Sequence, residues 1–122
     1  MDIIKKHHTS FKNAFAGLIW AFTTQQNFLI HIILSLAALL LGVLLNVSRL
    51  EMLILILAIV FGLGAEMINT SIEAMTDLIT VKWSRHAKIA KDISAGMMLL
   101  IAAGTLILAV AIFLPKILLL LV

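Results

Sequence analysis

The chain has 122 residues, of which 63% are apolar and only 12% charged, with nine basic and six acidic side chains giving a net charge of +3. A soluble domain carries about 25% charged residues, so this composition excludes an ordinary water-exposed surface and points to a single domain that faces lipid. There is no cysteine, which removes disulfides and thiolate metal sites, and basic residues on so oily a chain suggest topology and anionic headgroups rather than nucleic acid.

The first 27 residues lack the short apolar core and small-residue cleavage site of a secretory signal, so the first span is expected to act as an uncleaved anchor. Within SFKNAFAGLIWAFTTQQN, Phe11, Phe15, Leu18, Ile19 and Phe22 recur at helical spacing. This predicts an amphipathic helix over about 10–26, lying along the membrane surface with Trp20 at headgroup depth. The alternative is that the segment extends the first span as a tilted helix.

Three apolar runs follow, over about 28–45, 50–79 and 88–120. A span needs roughly 20 apolar residues at about 1.5 Å each, and all three qualify, the second only if its polar tail reaches the interface. The short linker NVSR, 46–49, makes the first two spans an antiparallel hairpin. Lys5, Lys6 and Lys12 precede the first span, and Lys82, Arg85, Lys88 and Lys91 gather between the second and third. Arg49 and Lys116 stand alone at the opposite ends. The excess of positive charge marks the N-terminus and residues 80–92 as cytoplasmic, with the hairpin tip and the C-terminus outside. The expected fold is an all-α membrane bundle: a surface helix and three transmembrane helices.

The second span ends in AEMINTSIEAMTD, residues 65–77. At 100° per residue from Glu66, Asn69 falls at about −60°, Glu73 at about −20° and Asp77 at about +20°, one stripe about 80° wide. Carboxylates at the edge of hydrocarbon are costly, and they usually face a bundle interior or watery cavity and mark function. Asp77 could simply end the helix in water. Glu66 could not, because Met67, Ile68 and Ile72 follow it. Arg85, Lys88 and Asp92, with Lys91 beside them, begin the third span on the same side of the membrane. Carboxylates suit Mg²⁺, which is held through one or two of them plus substrate phosphates, and lysines suit phosphates as point charges. Phosphoryl transfer at a membrane surface follows. No Walker A loop is present: Gly62 and Gly64 lie in an apolar helix with no Lys-Ser/Thr after them. His7 and His8 are adjacent and would point apart on a helix, as expected of a solvated end rather than a metal site.

Glu66, Asn69, Thr70, Ile72, Glu73 and Asp77, followed by Ala90, Lys91 and Asp92, resemble the small integral-membrane prokaryotic diacylglycerol kinase family, which includes the undecaprenol kinases. The resemblance covers almost the whole chain, including Ala14, Gly17 and Leu18 before the first span and the Asn27-x-x-x-His31 pattern within it. It implies a homotrimer with sites at protomer interfaces, MgATP as donor and a membrane-lipid hydroxyl as acceptor. Glu66 matches the general base, and Asn69 a residue beside it. Glu73 matches a metal-holding carboxylate, and Asp77, Lys91 and Asp92 match residues contacting or organising nucleotide. Ala14 and Trp20 would join Glu66 around the lipid.

One position departs from the family pattern. Gln25 stands where a glutamate usually partners the Glu73-type residue, and Gln26 where an arginine is usual. A Gln carbonyl can reach a hard cation but brings no charge, so a weaker metal site is expected, and a poorly active relative is the rival reading. His31 leans toward undecaprenol over diacylglycerol as acceptor. A small transporter subunit would need polar residues through the full membrane depth, and spans one and three lack them. A purely structural role would leave the buried carboxylates without a purpose.

Overall fold

The computed structural model describes residues 2–121. It is all-helical over those residues: α1 (Asp2–Thr24), α2 (Gln26–Leu44), α3 (Arg49–Ile79) and α4 (Arg85–Leu119). The last three are long and apolar enough to cross a membrane. At 31 and 35 residues, α3 and α4 reach about 46 and 52 Å, longer than a hydrocarbon core of about 30 Å. Their polar ends therefore have length to project beyond the lipid tails.

The expected surface helix begins earlier than residue 10 and stops two residues before 26. Nothing in residues 2–9 breaks a helix, and the hydroxyls of Thr9 and Ser10 donate to the carbonyls of Lys5 and Lys6 at 2.9 and 3.0 Å. His7 and His8 lie exposed on this helix. Gln25 is extended (φ −101°, ψ 107°), so α1 and α2 are separate helices rather than one continuous tilted rod. Ala21 and Phe28 are buried at this junction, while Phe11, Phe15, Ile19, Trp20 and Phe22 remain exposed and available to lipid.

The α2–α3 turn is locally determined. Asn46 adopts a left-handed conformation (φ 49°). Val47 N–H donates to Gly42 and Asn46 N–H to Val43, which closes α2 in a Schellman motif. Ser48 then caps α3: its side chain accepts from Glu51 N–H, and the Glu51 carboxylate accepts from Ser48 N–H. Gly42 is buried here, and a Cβ would stand 3.0 Å from Met52 Cε and 3.4 Å from Val47 Cγ2, so a larger residue would need the neighbours to shift.

Helix α4 packs mainly along α3, and α2 packs along α3 less extensively. A small apolar cluster of Leu55, Ile112 and Phe113, with Leu41, Leu45 and Leu108 against it, joins the three at the hairpin-tip end. In lipid such contacts stabilise through close packing rather than removal from water. At the same end Lys116 Nζ lies 3.0 Å from Glu51 Oε2, tying α4 to the start of α3 just past Pro115, through which α4 continues. The opposite end of α3 and α4, joined by residues 80–84, carries the polar stripe.

Candidate functional site

Along α3 the stripe residues are graded from buried to exposed. Glu66 is 4% exposed and Asn69 7%, whereas Glu73 and Asp77 reach the surface. Residues 66–77 cover about 16 Å of rise, so the stripe runs from the enclosed part of α3 toward its exposed end.

The deep end is a two-residue contact between helices. His31 Nε2 of α2 lies 3.9 Å from Glu66 Oε2, within ion-pair range and beyond hydrogen-bond length. No hydrogen bond to the Glu66 carboxylate is formed among the described residues. Yet no enclosed side-chain polar atom lacks a partner among the described residues, so the carboxylate oxygens keep an opening. His31 also heads a partly open groove of about 370 Å³ between α2, α3 and α4. Small side chains at Ala38, Ala58, Gly62 and Ala102 make the space, and Ser35 and Thr105 are its other polar members. The lining is thus mostly apolar, with Glu66 next to its polar head.

The middle of the site is a hydrogen-bonded chain. Asn69 Nδ2 donates to Glu73 Oε1 at 3.2 Å, one turn along α3. Ser94 Oγ, on α4, donates to Asn69 Oδ1 at 2.5 Å. At the exposed end Lys91 Nζ donates to Asp77 Oδ1 at 2.5 Å, a second link from α4 to α3. Asp92 pairs within α4 with Lys88, one turn earlier.

Asn69 with Glu73 and Asp77 with Lys91 therefore form two bonded steps of a polar ladder along α3, with Glu66 unbonded at its deep end, in the order expected from their positions on two antiparallel helices. Asp92 stands beside it, engaged with Lys88. Gln25 lies at the α1–α2 junction, where its amide donates to Thr24 Oγ1 at 3.2 Å, and no hydrogen bond joins it to Glu73. Ala14 and Trp20 are exposed on α1, outside the ladder. Two participants were not expected as site residues. His31 enters the sequence reading only through the Asn27-x-x-x-His31 pattern and the choice of acceptor, and Ser94 carries no sequence signal.

Among the described residues no group of three or more His, Asp or Glu side chains could by itself hold a metal ion. The donors do fit a hard cation that arrives with phosphates, because Glu73 offers an exposed carboxylate and Mg²⁺ needs only one or two of them beside phosphate oxygens and water.

The family model of prokaryotic diacylglycerol kinases matches residues 12–113. A diacylglycerol kinase of Synechocystis sp. is 39% identical over 115 residues, an alignment covering 93% of this chain and 65% of the relative. An undecaprenol kinase of Bacillus subtilis is 36% identical over 113 residues, covering 93% of this chain and 92% of the relative. The chain thus spans about two thirds of the first relative's length and nearly all of the second's. The matched span holds the whole polar ladder, and the chain belongs to the prokaryotic diacylglycerol kinase family.

Proposed function

We propose that the protein is an ATP- and Mg²⁺-dependent kinase that phosphorylates the hydroxyl of a membrane lipid, undecaprenol ahead of diacylglycerol. The observation that carries this reading is the placement of the Glu66 carboxylate, buried beside His31 at the head of an apolar groove, at the deep end of a ladder that emerges at Glu73, Asp77 and Lys91. A lipid hydroxyl reaches such a site from hydrocarbon, and a nucleotide reaches it from water.

Glu66 is the general base. It takes the proton as the acceptor oxygen bonds to the γ-phosphorus and the bond to the departing ADP oxygen breaks. Asn69 holds Glu73, and Glu73, with the Gln25 carbonyl as a weaker second donor, would hold the Mg²⁺ of MgATP. That ion, when bound, neutralises charge on the phosphates. Lys91 supplies a cation to the phosphates once it leaves Asp77, and Asp77 and Asp92 organise the nucleotide. The groove takes the first part of the acceptor chain. In this reading the protein works as a homotrimer with sites shared between protomers. It sits in the bacterial plasma membrane with the N-terminus and residues 80–92 cytoplasmic and the C-terminus outside.

Diacylglycerol is the second reading for the acceptor, favoured by the similarity to the Synechocystis protein. His31 and the Asn27-x-x-x-His31 pattern favour the polyprenol. The test is ATP-dependent phosphorylation by the purified protein in lipid micelles, with both alcohols offered in parallel and Mg²⁺ varied. Faster turnover of undecaprenol is expected. Faster turnover of diacylglycerol would reverse the order of acceptors, and turnover of neither at high Mg²⁺ would leave a kinase fold without this activity.

A further inference from the structure

Helical hydroxyls in this protein mostly bond to their own helix. Ser35, Ser71 and Thr76 donate to the carbonyls of His31, Met67 and Ile72, the usual four-residue back-bond. Ser94 does not. It is 3% exposed and sends its proton across the α3–α4 contact to Asn69 Oδ1.

That choice fixes more than one bond. An amide presents an acceptor on one side and a donor on the other. With Oδ1 accepting from the Ser94 hydroxyl, Nδ2 faces Glu73 Oε1, at 3.2 Å. A flipped amide would set its oxygen against the Glu73 carboxylate, with no proton between two acceptors. Glu73, which only accepts, thus fixes which way the amide faces, and the Ser94 hydroxyl, which can donate to Oδ1, anchors its far side, although Ser94 touches neither Glu73 nor Glu66 through any hydrogen bond.

Ser94 also sets register. Lys91 and Ser94 are one turn apart on α4, and they bond to Asp77 and Asn69 on α3, which are eight residues apart. The rises are about 4.5 and 12 Å, and the long Lys91 side chain makes up the difference. The short Ser94 side chain has no such reach, so it is the contact that holds α4 at a defined depth against the stripe.

We propose that Ser94 is a positioning residue for phosphoryl transfer: its hydroxyl anchors the Asn69 amide, which in turn holds Glu73 for the metal-bound nucleotide. This rests on the kinase reading above. Loss of the hydroxyl should act on the Glu73 side of the site and leave the acceptor side alone.

The test compares Ser94→Ala with the parent protein. The Mg²⁺ concentration for half-maximal rate should rise about three- to tenfold, the effect of one net hydrogen bond, with the KM for the lipid acceptor unchanged. Ser94→Cys, close in size and a weaker donor, should fall between, and is read alone if the alanine variant does not fold. A second readout needs neither metal nor turnover. In the protein without nucleotide, the side-chain amide NMR signals of Asn69, assigned by their loss in Asn69→Asp, should shift or broaden in Ser94→Ala. An unchanged Asn69 signal, or a loss shared equally by Mg²⁺ dependence and acceptor KM, overturns the proposal. An inactive parent protein would instead count against the kinase reading, and the NMR comparison would still decide whether Ser94 anchors Asn69.

Discussion

Lys91 Nζ and Asp77 Oδ1 lie 2.5 Å apart, joining the first turns of α4 to the last turns of α3 at the mouth of the polar ladder. The two side chains are 37% and 67% exposed, so this ion pair is screened and contributes little stability, about 0–1 kcal/mol. Its use lies in what replaces it. Under the proposed function, a triphosphate entering there would give the lysine a stronger partner than Asp77 and free the aspartate.

Lys91→Ala should therefore weaken nucleotide use far more than it weakens the fold. The KM for ATP is expected to rise at least about tenfold, the effect of a charge-assisted hydrogen bond of about 1.5–3 kcal/mol, while the thermal midpoint in micelles stays within a few degrees. A large drop in the midpoint with an unchanged KM would make the pair a structural clamp.

At Gln25, restoring the charge that the family pattern carries tests the metal site. Gln25→Glu should lower the Mg²⁺ concentration needed for half-maximal rate, because a carboxylate binds a hard cation better than an amide carbonyl. Titration of initial rate against Mg²⁺ reads it directly. If neither the Mg²⁺ dependence nor the rate improves, the glutamine does not weaken the site.

The groove below His31 makes a separate prediction. A Cβ built at Gly62 meets nothing within 4 Å, and Gly62 lines the groove, so a larger side chain there would fill space rather than displace a neighbour. Gly62→Leu is expected to raise the acceptor KM about five- to a hundredfold, the 1–3 kcal/mol of a lost apolar contact, with the KM for ATP unchanged. Kinetics against a short-chain and a long-chain polyprenol would show whether the groove holds the chain. Equal KM values for variant and parent would place the acceptor elsewhere.

Much of this site was legible in the sequence because a helix has a fixed period. Glu66, Asn69, Glu73 and Asp77 share a face of any α-helix that contains them, and the short 80–84 connection obliges α3 and α4 to run antiparallel, which sets Lys91 opposite Asp77. Ser94 was not legible. A serine inside a helix ordinarily bonds to its own backbone, and only the packing depth of α4 on α3 turns this one toward Asn69. The division between surface helix and first span was legible, and only its exact position at Gln25 was not, because neither glycine nor proline marks it and the residue simply takes an extended conformation. The start of α1 was misjudged because charge and paired histidines resemble a solvated end, although none of those residues opposes a helix.

The central claim is that the buried Glu66 carboxylate removes the proton from a lipid hydroxyl, and Glu66→Gln tests it most directly. The substitution keeps the size and removes the base. Turnover of the preferred lipid alcohol should fall by about 10²–10⁴-fold while the folded state and nucleotide binding persist. A glutamine variant that keeps near-parental turnover would contradict the account, because the hydroxyl would then lose its proton without the Glu66 carboxylate.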